Sequence, residues 1–503
     1  MSPTAIILTL AAYVALLLVV AWRTSQRSNN ATFFTGGRTT PRAVAAVAMV
    51  GAAMSGVTYI SVPGTVLTDG FSYVQTTLGF FVGYVIIAYV LIPLYYRLGV
   101  VSLYEYLDQR FGMLSHRTGA WLFFVAKIAS ASLRAYVICV VLQQLLFARL
   151  GIPFAINAAL MMCLVWLYTR RGGVRSVVWT EFFKTLLMVA SIVVCVALVI
   201  DALGVGLGGA VRAVAESQYS EVFFFDNPLD GRYFWKQFLA GIFLVVAMTG
   251  LDQDMMQTML SCRTRRDAQR GMMTSILIQM CVIGLFLSLG SLLYIFVSSR
   301  GITATEGAMP LIDAAGEVAV ARGDDLFGYV ATECGLHTIA GVLFLLGLVA
   351  STYTSAGSAL TALTTSFTLD ILRAPKHGDD RRVARIRRWA HSLIAMAMCL
   401  IIILFEQWSS SGVITLIFTM ASYTYGPLLG LFAFGLLTRR KVHERAVPII
   451  AIAAPALCFI VSRNSASWLG GYTFSYEIII LNALLTMLGL WLASYRDAGH
   501  TTR

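Results

Sequence analysis

From Pro3 to Trp22 the chain runs for twenty residues, PTAIILTLAAYVALLLVVAW, without a charge. A helix rising about 1.5 Å per residue crosses the roughly 30 Å of bilayer hydrocarbon in that length. The apolar pattern recurs and predicts thirteen spans, at residues 3–22, 43–68, 72–96, 118–147, 152–168, 176–203, 233–259, 271–298, 338–368, 389–406, 412–437, 446–462 and 475–494. The first lacks a basic lead and a small-residue cleavage site, so it reads as a retained helix and not a signal peptide.

Two spans are interrupted. Span 2, AVAMVGAAMSGVTYISVPG, carries Gly51, Ser55, Gly56, Pro63 and Gly64 in an apolar run, and span 7, AMTGLDQDMMQTML, places Gly250 just before Asp252 and Asp254. Lipid offers no hydrogen bonds, so backbone freed at a break must meet substrate, ion, water or protein. Matching breaks in two halves of a chain point to a transporter's central site; a glycine-rich packing face is the plainer alternative.

Span 9 reads LVASTYTSAGSALTALTTSFTLD, with ten hydroxyls between Ser351 and Thr368. A lone hydroxyl in a membrane helix usually bonds its own i−4 carbonyl. Here Ser351, Thr354, Ser355 and Ser358 follow helical spacing and share a face. Such oxygens suit a small alkali cation.

Charges inside spans are costly and mark functional candidates. Lys127 and Arg134 lie seven apart in span 4, Glu181 and Lys184 three apart in span 6, and Asp252 and Asp254 at the break of span 7. Arg134 suits a substrate carboxylate or an acid of the chain itself. Gln75, Thr76 and Thr77 add neutral groups near the outer end of span 3. The array fits a hydroxylated or zwitterionic solute better than a bare ion. His116, His337, His377, His443 and His500 fall at loops or ends and His391 just inside span 10, so no histidine proton relay is expected.

Composition agrees with a membrane protein: 58% of residues are hydrophobic and 12% charged, against about a quarter charged in soluble domains. The net charge of +12 raises the question of nucleic acid, but 27 of the 37 Lys and Arg lie in segments 23–42, 97–117, 169–175, 260–270, 369–388, 438–445 and 495–503. The intervening segments hold six. By the positive-inside rule these basic segments face the cytoplasm, which puts the N-terminus outside and the C-terminus inside. The expected setting is a bacterial inner (cell) membrane, with lipid as partner and no nucleic acid. The basic loop RAPKHGDDRRVARIRR (373–388) fits attraction to anionic lipid. The outer segments 204–232 and 299–337 are too short to fold alone, and GAMPLIDAAGEVAV in the second is expected to form a short interfacial helix. Eight scattered cysteines show no metal spacing, and no Walker, HExxH or GxSxG motif occurs. An ATP-driven pump and an enzyme are therefore not expected.

Taken in order, FFTGGR (33–38), GAAMSG (51–56), SLYEYLDQRFG (102–112), GGVRSVVWTEFFKT (172–185), LVASTYTS (348–355) and TYGPLLGLF (424–432) resemble the sodium:solute symporter family, which includes bacterial galactose, proline and sialic-acid symporters. The resemblance implies an all-α membrane fold of leucine-transporter type with 5+5 inverted repeats. Residues 1–42 would hold the first helix and a cytoplasmic loop, 43–203 and 204–437 the two repeats, and 438–503 two further helices and a tail. It implies a sodium site built from the carbonyls of Gly51, Met54 and Leu348 and the hydroxyls of Ser351 and Thr352. Some members hold a second sodium on a WTD acid; here the segment reads Trp179-Thr180-Glu181, with Thr354 and Ser355 as companion hydroxyls. Family substrate positions fall on Ser55, Thr58, Gln75 and Thr76. Asp252 and Asp254 flank Gln253 where sugar members carry an Asn-Gln pair, and Ala53 stands where proline members carry an aspartate. Arg134 lies in the helix from which sialic-acid members bind the substrate carboxylate.

The function these features imply is sodium-coupled import of a small polar organic solute (a sugar, sialic acid or related carboxylate) by alternating access. The alternatives are a proton-coupled carrier on the same scaffold, using Asp252, Asp254 or Glu181, and an amino-acid or zwitterion symporter. A channel or membrane sensor is the rival from another class, though no signalling domain follows the last span. Oligomeric state is written in none of these patterns.

Overall fold

The structure, a computed structural model, describes residues 3–26, 30–304, 309–374, 380–408 and 413–495. Each expected span falls on helix. Among the described residues nine helices are long and apolar enough to cross a membrane: Ile6–Ser25, Tyr73–Leu98, Met113–Leu142, Phe154–Ala202, Arg265–Ser299, Thr338–Ile371, Arg381–Gln407, Phe418–Leu437 and Ala446–Trp468. Two bent pairs join them, Arg42–Ala53 with Gly56–Gly64 at 59° and Phe234–Gly250 with Gln253–Leu260 at 68°. Ile478–Leu492 is a shorter apolar helix.

Spans 5 and 6 share the 49-residue stretch Phe154–Ala202, which turns at Gly173 (φ 53°, ψ −139°). A side chain there would be strained and would also meet the ring and backbone of Phe33 at 2.6 Å. The FFTGGR segment thus seats its first aromatic residue in the corner between the two spans.

Span 9 is the most enclosed, with 72% of its apolar window buried, against 22% for spans 1 and 12. A hydroxyl-rich helix is stable at the centre because protein, and not lipid, surrounds its polar atoms. Span 1 packs on its flank, where the Tyr13 hydroxyl donates to Ala350 O at 3.1 Å, and Tyr168 of span 5 donates to Tyr353 O at 2.8 Å.

One outer loop differs from expectation. In place of an interfacial helix, Leu311–Ile312 and Val318–Val320 pair as antiparallel strands, with Thr303–Ala304 on the other edge of Leu311–Ile312. The intervening Asp-Ala-Ala-Gly is a turn former: Asp313 Oδ1 accepts from the amides of Ala315 and Glu317, and Gly316 takes φ 85°. Local turn chemistry prevails over the amphipathic pattern. His116 also differs, being buried in Met113–Leu142 with Nε2 3.0 Å from Asp370 Oδ1. His377 and His500 lie outside the described residues.

The corner at residue 173 is testable. Gly173→Ala should lower apparent stability by about 1–3 kcal/mol through backbone strain alone, seen as an earlier thermal transition of the detergent-solubilised protein. Gly208→Ala, where a Cβ meets nothing within 4 Å, is the control and should leave the transition in place.

Candidate functional site

The first break sits at Met54 and Ser55, both in extended backbone between Arg42–Ala53 and Gly56–Gly64. The carbonyls of Ala53 and Met54 receive no hydrogen bond among the described residues. Span 9 lies against this break. A Cβ at Gly56 would come within 2.0 Å of Thr352 Oγ1 and 3.3 Å of Ser351 Oγ, so glycine is what allows the loosened backbone to reach those hydroxyls. Ser351 Oγ donates to Leu348 O at 2.9 Å and Thr352 Oγ1 to the same carbonyl at 3.0 Å. Each hydroxyl has thereby spent its one hydrogen, and its lone pairs remain as acceptors. Thr354 and Ser355 likewise bond Ala350 O and Ser351 O. Ordinary i−3 and i−4 bonding therefore accounts for the hydrogens of this stripe, but not for its free oxygen lone pairs.

The second break is closed by protein. Gly250 O accepts from Tyr95 at 2.9 Å and Leu251 O from Tyr104 at 3.0 Å. Asp252 caps Gln253–Leu260 by accepting from the amides of Asp254 and Met255 at 2.9 and 3.3 Å. Its other oxygen takes the Tyr425 hydroxyl at 2.6 Å and the Lys127 ammonium at 3.0 Å. Lys127 Nζ also lies 2.7 Å from Asp254 Oδ2, and Ser358 of span 9 bonds the remaining Asp254 oxygen. One ammonium thus joins two buried carboxylates.

A cavity opens between the two breaks. Ala53, Ser55 and Thr58 line it from span 2, Lys127, Ser130 and Arg134 from span 4, and Thr249 and Asp252 from span 7. Tyr73, Tyr84, Gln279 and Tyr425 complete the polar wall, and Phe80, Met248, Met255 and Phe418 the apolar one. Arg134 makes no hydrogen bond or salt bridge to a described residue, and its Nε is buried without a partner. A guanidinium left unpaired in a cavity wall has the hydrogen-bond donors to receive an anion.

Beneath the cavity, Lys184 and Glu181 form a salt bridge at 2.7 Å with both side chains wholly buried. Lys184 Nζ also donates to Gly51 O at 2.5 Å and Ser355 Oγ at 3.2 Å, and lies 3.5 Å from Ser351 O.

Span 9 meets the broken span at Gly56, which lies against Leu348, Ser351 and Thr352, and through Lys184, which reaches Gly51 O and Ser351 O. Met54 stands two residues before Gly56, and Glu181 and Ser355 lie beside Lys184. Ser55, Thr58, Arg134 and Asp252 line the cavity; Asp254 stands behind it with Glu181 and Ser355. Gln75 and Thr76 do not line it. Gln75 bonds the outer loop through Arg232 O and the Phe224 amide, and so clamps that loop over span 3, whereas Thr76 bonds Gln237 and ties span 3 to span 7. Sequence reasoning missed Tyr425, Tyr84 and Gln279; Tyr84 donates to Gln279 at 3.0 Å. A buried glutamine amid the apolar residues of span 8 was a readable signal. Tyr425 carried none, since tyrosines are frequent in these spans.

Comparison with known proteins follows the geometry. The family model of the sodium:solute symporter family matches residues 33–447. The sodium/iodide cotransporter of Homo sapiens is 26% identical over 423 residues, 80% of this chain and 60% of that protein. Sodium-coupled monocarboxylate transporter 1 of Xenopus laevis is 25% identical over 415 residues, 80% of this chain and 62% of that protein. The match thus spans about 60% of the length of these relatives. Among solved structures, a Na+-coupled sialic acid symporter in a substrate-bound, outward-open state superposes with a TM-score of 0.78 at 19% identity, covering 98% of this chain and 99% of that one. A nucleobase-cation-symport-1 family transporter in a closed conformation gives 0.56 at 15% identity, covering 93% and 94%. The fold is the leucine-transporter type that the sequence motifs imply.

Removing Lys127 leaves two buried carboxylates facing one another. Lys127→Met should cost about 3–5 kcal/mol, as for a buried pair stripped of one partner. Adding Asp254→Asn should restore part of the lost thermal stability. A single variant as stable as the parent chain would show that this ion cluster does not hold span 4 to span 7.

Proposed function

The chain belongs to the sodium:solute symporter family, and from that premise we propose that it couples entry of sodium to import of a small carboxylate-bearing organic solute. The observation that carries this reading is the packing of the Met54–Ser55 break on Ser351 and Thr352. It supplies hard oxygen donors with no hydrogen left to give, at a buried point beside the cavity.

Sodium in this reading is held by the carbonyls of Met54 and Leu348 and the hydroxyls of Ser351 and Thr352; Gly51 O, which the family resemblance adds to that set, is taken by Lys184. The solute lies above, its carboxylate on Arg134 and its polar groups near Ser55, Thr58 and Asp252. Asp254 acts through Lys127 and Ser358 in shaping the floor. Formal charge supports an anionic solute. Around the cavity and in the pair beneath it, Lys127, Arg134 and Lys184 balance Asp252, Asp254 and Glu181, so a sodium added there is best matched by one negative charge. Iodide and monocarboxylate, in the names of the relatives, are likewise anions.

Residues 43–203 and 204–437 form the two inverted repeats, framed by 1–42 and 438–503, with the N-terminus outside and the C-terminus in the cytoplasm of a bacterial cell membrane. Sodium binding ties span 2 to span 9, favours the outward-open state and organises the cavity. Coupling requires that sodium prefer one state, since equal affinity shifts no population.

A thermal-shift screen of sugars, sialic acids, amino acids and carboxylates, with and without sodium, tests the reading. A carboxylate should stabilise the protein only when sodium is present. Arg134→Ala should weaken that ligand about 10- to 100-fold, the usual value of charge-assisted hydrogen bonds, and Thr352→Ala should raise the sodium requirement about tenfold by removing one ligand. Equal stabilisation in potassium, or uptake driven by a proton gradient without sodium, would overturn the assignment.

A further inference from the structure

The two helices expected to hold a second sodium, spans 6 and 9, already hold an ammonium together with the broken span 2. Lys184 Nζ lies 2.5 Å from Gly51 O on the broken span, 3.2 Å from Ser355 Oγ on span 9 and 2.7 Å from Glu181 Oε2 on its own helix. An ammonium has three hydrogens, and Gly51 O, Ser355 Oγ and Ser351 O, the last at 3.5 Å, accept them, while the Glu181 carboxylate lies alongside as the paired charge. The side chains of Lys184 and Glu181 are both fully buried, so water does not compete for the charge. The Thr354 hydrogen is spent on Ala350 O.

Resting on the sodium-symport reading, we infer that Lys184 is a tethered cation standing in for the second sodium, so that this chain binds a single sodium, at Met54, Leu348, Ser351 and Thr352. The residues Glu181, Thr354 and Ser355 do not fit a second free ion while the ammonium is present, because their carboxylate is already neutralised. The tethered charge does the same mechanical work as an ion, holding span 2 against spans 6 and 9. It differs in that it cannot leave to the cytoplasm. The tie is permanent through the cycle and adds nothing to the number of ions carried.

The inference predicts a gain of function. With Lys184→Gln the Glu181 carboxylate is left buried and unpaired, within reach of the Ser355 and Thr354 oxygens and the carbonyl of Gly51. That set is complete for a small cation.

The test is direct binding of radiolabelled sodium to the purified full chain, with no solute needed. The parent chain should take up one ion per protein with a Hill coefficient of about 1, and Lys184→Gln two ions with a coefficient approaching about 2, its limit for two coupled sites. A Glu181→Gln/Lys184→Gln pair, which removes both charges, should return to one. Two ions on the parent chain overturn the inference by themselves, whatever the variants do. One ion on a folded Lys184→Gln protein also overturns it. No sodium on the parent chain sinks the symport reading beneath it, an outcome distinct from either.

Discussion

A helix that breaks inside a membrane leaves carbonyl groups with nothing in the lipid to bond them. The centre of this protein is organised around two such breaks and the different ways they are answered. At Gly250 and Leu251 the freed carbonyls are met by Tyr95 and Tyr104, and an aspartate caps the helix that restarts. At Met54 and Ser55 the backbone is left open toward the cavity and toward Ser351 and Thr352. One break is sealed by protein. The other leaves its oxygens open, and in the sodium-symport reading proposed above they serve a cation.

That asymmetry explains why span 9 must be both hydroxyl-rich and central. Its hydroxyls donate to their own helix, which keeps the helix continuous and orients the lone pairs toward span 2. Tyr13 and Tyr168 bond its carbonyls from the other side and hold it in register. Small residues bring the broken backbone close: replacing the hydrogen of Gly56 by a methyl would push span 2 off Thr352.

Much of this was legible in the sequence, and the legible part has a common cause. Glycine, serine, threonine and charged residues are conspicuous in apolar spans, so both breaks, the hydroxyl stripe, Arg134 and the charged residues Lys127, Glu181, Lys184, Asp252 and Asp254 stood out by composition alone. What was hidden is pairing. That Lys127 joins Asp252 and Asp254, that Tyr425 caps the cluster, and that Lys184 reaches Gly51 are contacts across 125, 127, 173 and 133 residues, and no local pattern records them. Gln75 and Thr76 show the converse. Their polarity was visible, but a buried polar residue needs a partner and not specifically a substrate, and here the partners are the outer loop for Gln75 and Gln237 of span 7 for Thr76. The strands at 311–320 were missed because an Asp-x-x-Gly turn outweighs helical periodicity over so short a segment.

The ion pairs also bear on energetics. A sodium entering alone down a 100 mV potential contributes about 2.3 kcal/mol, but a carrier that moves one sodium with one carboxylate transfers no net charge, so the potential does no work on the loaded step. Accumulation then rests on the sodium concentration ratio, about 1.4 kcal/mol for each tenfold difference. A second mobile sodium would make the cycle electrogenic and steeper. Under the inference drawn above, fixing that second positive charge on Lys184 keeps the mechanical tie between spans 2 and 9 and would make uptake indifferent to voltage. With the six charged groups of the site balancing to zero, the tethered ammonium would then set how many ions accompany the solute, as well as holding the helices together.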